Sequence, residues 1–198
     1  MKTPQAADLD NNGDRLDVEG YFHVYVKDVR DGMPHNKDDA IEGFSVNMQV
    51  IDGEQDGKQQ GTTLRDGQET HKDGGEFCRK FQAAFCVATN LLTPAQLNGG
   101  DVSYDEQAAT NHQLIIKTKL GKPDANNKRW LDIDGVGFYH VDDPRVADVP
   151  KSQAALAQID PAFRRPAEYF APLLGDKKGG AKTSAPKQEP PTFDAGGL

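Results

Sequence analysis

The spacing of apolar residues changes period twice along this chain, and that order of periods limits the folds open to it. In YFHVYV, Phe22, Val24 and Val26 alternate with Tyr21, His23 and Tyr25, the two-residue repeat of a strand with two substantial faces. Phe44, Val46, Met48 and Val50 repeat the pattern after a loop rich in Asp, Gly, Pro and Asn, and a short third strand, 62–64, follows the Gly-punctuated turn IDGEQDGKQQG. The period then lengthens. Phe77, Phe81, Phe85 and Ala88 recur every three or four residues, as one face of a helix over about 74–90 does, with Asp73 and Glu76 at capping-box spacing. Strand-like stretches return at 112–120 (HQLIIKTKL) and 129–141 (RWLDIDGVGFYHV), joined by the hairpin loop GKPDANNK, and Gly135 and Gly137 suit a bulge or a sharp bend.

Three strands, a helix and two strands is the order of the oligonucleotide/oligosaccharide-binding (OB) barrel. The expectation is a mainly β fold: a five-stranded OB-type β-barrel over residues 18–141, with the helix between strands 3 and 4. Residues 1–17 read as a mobile lead-in. Residues 142–175 read as an extension with short helices (AALAQI, AEYFAPLL) packing back on the barrel, and 176–198, rich in Gly, Lys, Pro, Ser and Thr, as a disordered tail. No apolar run approaches the length of a membrane span, and MKTPQAADLD has no apolar core of a signal peptide, so a cytoplasmic location is expected. Cys78 and Cys86, eight residues apart on one helix, lie about 12 Å apart, beyond disulfide reach.

The net charge of -8 argues against a nucleic-acid partner until its distribution is considered. Residues 1–60 hold 13 acids against 6 bases, whereas 112–130 hold Lys117, Lys119, Lys122, Lys128 and Arg129 against Asp124 alone. Screening makes local charge count for more than the total. Single-stranded nucleic acid needs cations for its phosphates and flat side chains for its bases. Tyr21, His23 and Tyr25 on one face of strand 1, with Lys117, Lys119, Lys128, Arg129 and Trp130 on strand 4 and the adjoining hairpin, supply both. Strand aromatics more often pack than bind, so the combination carries the reading.

Other chemistry finds less support. Asp8, Asp10, Asn12, Gly13 and Glu19 satisfy the regular expression of a calcium loop, but the flanking helices of an EF-hand are missing and Arg15 puts a positive charge among the ligands. Asp132 and Asp134 share a strand face near Asp142 and Asp143, a pattern that turn and edge residues explain better than a nuclease metal site does. No nucleophile lies at a recognisable spacing from a histidine, and no P-loop is present. A non-enzymatic protein without cofactor or resident metal is expected.

The segments GYFHVYVKDV, GFSVNMQVIDGEQDGKQQGTT and FYHVDDPRVADVPKSQAAL carry a resemblance over about residues 18–165, strongest around VDDPRVADVPK. The chain resembles a family of bacteriophage and prophage proteins that look like single-stranded DNA-binding proteins of replication and recombination modules. That resemblance implies an OB barrel in a bacterial host cell that coats single-stranded DNA without sequence preference, and replication or recombination proteins as partners. Bacterial proteins of this kind typically end in an acidic tip closing on a Phe; residues 176–198 instead hold four lysines against three acids, with Phe193 five residues from the end. The competing reading is a protein-interaction or structural module that uses the same barrel without nucleic acid.

Overall fold

The computed structural model describes residues 14–31, 43–66, 75–98, 102–123, 125, 127 and 129–174. Five antiparallel strands, β1 (Gly20–Asp31), β2 (Gly43–Val50), β3 (Gln59–Arg65), β4 (Gln113–Leu120) and β5 (Leu131–His140), form one curled sheet in the order β3-β2-β1-β4-β5. β1 is central and long. Its N-terminal half pairs with β4, from Gly20↔Thr118 to Tyr25↔Gln113, while residues from Val24 to Asp31 pair with β2. The β1–β2 register shifts between Val26 and Asp28, so the buried series runs Val24, Val26, Val29, and the extra residue restores the inward face.

The concave side of the sheet holds the core. β2 alternates without a break, with Phe44, Val46, Met48 and Val50 buried. Helix α1 (Glu76–Ala88), which follows β3 in the chain, packs against β3 and β5. Its face grades from Phe77, 51% exposed, through partly buried Phe81 to Phe85, which is fully buried with its ring 5.9 Å from Phe44 and 5.4 Å from Phe138. At its end Thr89 Oγ1 donates to Phe85 O (2.8 Å), and Asn90 turns the chain with φ 59°. The helix starts after Gly75 with no side-chain cap; Asp73, expected to cap it, lies outside the described residues. Cys78 and Cys86 both lie on α1 and form no disulfide.

β3 and β5 are the two edges of this half-barrel and share no strand ladder. Two links narrow the seam. Gln60 Nε2 donates across it to Leu131 O (3.2 Å), and Leu16, itself buried, donates its N–H to Gln59 O (2.9 Å) beside a parallel bridge between Arg15 and Gln59.

A second group of buried apolar residues, Ile115, Val141, Val146, Ala155 and Phe170, lies outside the main cluster. It joins β4 and β5 to the segment 144–174, which contains short helical turns at Pro144–Val146, Gln153–Leu156, Pro161–Phe163, Ala167–Phe170 and Ala171–Leu174. Asp142 anchors that segment: Arg164 grips its carboxylate with contacts of 2.6 to 3.0 Å and the Arg165 N–H adds one of 2.9 Å.

Because Phe85 joins α1 to both halves of the sheet, Phe85→Ala should destabilise the protein by about 3 to 5 kcal/mol. Urea denaturation would read this as a lower midpoint with an unchanged slope. A loss below about 1 kcal/mol would mean that α1 is not part of the core.

Candidate nucleic-acid interface

The outer face of β1, β4 and β5 is half open and half covered. On the open half, Tyr21 and Lys117 are cross-strand neighbours, and the Lys117 ammonium stands 5.6 Å from the centre of the Tyr21 ring. Tyr139 of β5 completes an aromatic pair, its ring centre 6.1 Å from that of Tyr21 at an interplanar angle of 44°. The guanidinium of Arg145 lies 5.0 Å from the Tyr139 ring. It is fixed there by the buried carboxylate of Asp143, which it meets at 2.6 to 3.1 Å. A tyrosine pair is thus bracketed by two cations.

Asp134 organises the lysines. Lys117 Nζ is 2.6 Å and Lys119 Nζ 2.7 Å from its two carboxylate oxygens. Hydrogen bonds from Lys117 and then Lys119 hold the Asp134 carboxyl down at about 2, and the same contact raises Lys117. A break in the β4–β5 register, between Ile116 and Thr118, sets this geometry. Gly135 takes φ 59° in that break, and a Cβ on Gly137 would lie 2.9 Å from Lys117 O and 2.8 Å from Asp134 O. The glycines therefore aim Asp134 at the lysines.

On the covered half lies His23, the middle member of the expected aromatic row, only 4% exposed. Ser152 donates its N–H to His23 Nδ1 (3.2 Å), and Gln113 Nε2 donates to Ala155 O (2.9 Å), so the segment around 152–155 lies over this part of the sheet. An Nδ1 that accepts leaves the neutral ring's proton on Nε2. Burial lowers the His23 pKa to about 4; Gln113 and Asp52 oppose this, and Lys151 reinforces it. Tyr25 is half-buried and gives its hydroxyl to Gln49 Oε1 (3.2 Å). The row Tyr21–His23–Tyr25 thus presents only Tyr21 as an exposed ring.

Tyr21 also walls a cleft of about 500 Å³ between the turn 52–55 and Pro150–Ser152. Glu19, Asp52 and Glu54 line it, and Lys151, the one lining cation among the described residues, donates from its ammonium to Val146 O (2.6 Å). The cleft is acidic, unlike the surface on the other side of Tyr21.

The remaining expected residues fall elsewhere. Arg129 and Trp130 are exposed at the end of the β4–β5 hairpin and line a separate pocket, while Lys128 lies outside the described residues. Of the calcium-loop residues, Asp8, Asp10 and Asn12 also lie outside them, and Glu19 Oε1 accepts the Leu120 N–H (2.6 Å). Among the described residues no group of three His, Cys, Asp or Glu side chains is placed to hold a metal ion, and no helix is long and apolar enough to cross a membrane. Compared with models of known protein families and with curated proteins, the chain matches none.

The sequence reading missed Tyr139, Arg145 and Asp134 as partners of Tyr21 and Lys117. A signal existed for Tyr139, which stands beside Phe138 in GFYH, but the bulge hides which of the two faces outward.

His23 makes stability depend on pH in a stated direction. Its native pKa lies below the unfolded value of about 6.5, so above that value it costs nothing. As pH falls from 6.5 towards 4 the unfolded chain takes up a proton that the native protein refuses, at a cost of about 3 kcal/mol when complete. His140, also lowered by burial, adds to the same trend. Urea unfolding at pH 7, about 5.5 and about 4.5 should show this loss, and His23→Gln should flatten it. Equal slopes in the two proteins would refute the assignment.

Proposed function

We propose that this chain is an OB-type, non-enzymatic protein that binds single-stranded DNA without sequence preference, using the open half of the outer face. The bracketed pair Lys117–Tyr21–Tyr139–Arg145 carries the reading, because it combines two rings with a cation beside each on one face of the sheet. Element order supports the OB assignment: the sheet β3-β2-β1-β4-β5 needs only a β3–β5 pairing to close, and Gln60 already spans that seam. The family resemblance supplies the setting of phage-type replication and recombination in a bacterial cell, with proteins of those processes as partners.

Charge gives the strand a direction. The acidic cleft beside Tyr21 repels phosphates, so the strand leaves Tyr21 over Lys117 and Lys119 towards the β4–β5 hairpin. Asp134 moderates the affinity, since each lysine must exchange a carboxylate for a phosphate.

Fluorescence anisotropy of a labelled oligo-dT tests this. Affinity should fall between about 50 and about 200 mM salt with a log–log slope of about -2, from three cations at about -0.7 each on a single strand. Tyr21→Ala and Tyr139→Ala should each weaken binding by about 1 to 3 kcal/mol. Asp134→Asn should tighten it and steepen the salt dependence. Absence of binding at low salt would overturn the nucleic-acid reading in favour of a protein partner on this face.

A further inference from the structure

A second aromatic–cation site lies at the seam between β3 and β5. Trp130, 41% exposed, stands at the base of the β4–β5 hairpin, where Gly121 N–H donates to its carbonyl (2.7 Å). The Arg15 guanidinium lies 5.3 Å from the centre of the indole, held in place by the backbone pairing of Arg15 and Leu16 with Gln59. Arg129 lines the same pocket, and buried Leu16 and Gln60 form part of its wall. The pocket measures about 320 Å³, at the lower end of the range for small-molecule sites, about 300 to 1,000 Å³. Among the described residues Asp17 is the only acid lining it, against two arginines.

We propose that this seam pocket is a subsite for one phosphate-bearing nucleotide, its base on the exposed part of the Trp130 indole and its phosphate between the guanidiniums of Arg15 and Arg129. Guanidinium is the cation suited to phosphate, offering a planar fork of donors, and indole is the best ring for stacking and for cation contact. The ligand class rests on the nucleic-acid reading, but the site is distinct from the tyrosine pair. Trp130 immediately precedes β5, on which Asp132 and Asp134 share a face, and Lys119 is the cross-strand partner of Asp132. A strand leaving Lys119 therefore runs on to Trp130, and the pocket takes a nucleotide beyond the tyrosine pair.

Trp130 is the chain's only tryptophan, so its fluorescence reports on this pocket alone. In the full-length protein, thymidine 5′-monophosphate should quench it saturably, with thymidine and inorganic phosphate each about tenfold weaker or more. Arg15→Ala and Arg129→Ala should each weaken the nucleotide by roughly fivefold, and Asp17→Asn should strengthen it. Circular dichroism of each variant checks that it is folded. The inference is overturned if the nucleotide leaves Trp130 unquenched, or if thymidine alone binds equally well, which would make the pocket a stacking surface without a phosphate site. Labelled oligo-dT measured in parallel separates the two readings. Oligo-dT binding with an unquenched Trp130 leaves the tyrosine face standing and removes the pocket; nucleotide quenching without oligo-dT binding does the reverse.

Discussion

The division of β1 between two partners is the constraint on which the rest of this molecule depends. One strand of 12 residues hydrogen-bonds to β4 through its first half and to β2 through its second. A sheet built around such a strand must coil, because the two neighbours leave it at opposite ends and each is twisted relative to it. The coil brings β3 and β5 towards one another and gives α1 a concave bed, and Phe85 fills it against rings from β2 and β5. The bulge at Lys27 keeps β1 apolar side inward along its whole length. Without it, Val29 would turn to solvent.

The same coil makes the outer face convex, and the chain after β5 covers only part of it. Coverage follows the side chains available. Ile115 and His23, cross-strand neighbours, are buried beside Ala155 and Ser152, whereas Tyr21, Lys117 and Lys119 remain in reach of solvent. Three of the acids on or beside this face are each matched to a basic partner: Asp134 to the lysines, Asp143 to Arg145 and Asp142 to Arg164. The open face therefore has little net field. Any affinity for a polyanion must come largely from the rings, with the cations setting position more than strength.

Much of the fold was legible in the sequence because binary patterns survive wherever one face is buried and the other is not. β2 shows this fully, with Phe44, Val46, Met48 and Val50 inward and every alternate residue half-exposed. The pattern failed where the backbone changes phase. β1 reads as ending at Val26 because Lys27 interrupts the alternation, yet the strand continues to Asp31. In β5, Gly135 and Gly137 marked a bend but not its effect, which is to turn Asp134 onto Lys117 and Lys119. The buried state of His23 was invisible for another reason: its cover comes from Ser152, 129 residues further on, and a period-two pattern carries no information about what lies over a face.

The ring geometry also bears on which form of nucleic acid this face suits. Tyr21 and Tyr139 are tilted at 44° with centres 6.1 Å apart, within the range of rings already in contact with each other, so no base fits between them. A base must instead lie on the outward side of one ring, which requires that it be unstacked from at least one neighbour. Duplex DNA keeps its bases stacked and turned inward, and offers this surface only phosphates, for which the neutralised lysines have little spare charge. A single strand meets the same surface with bases already free to turn out. On the proposed function, the pairing of these rings with internally compensated cations would discriminate by strandedness rather than by charge, which would let a protein of net charge -8 present a face suited to a polyanion.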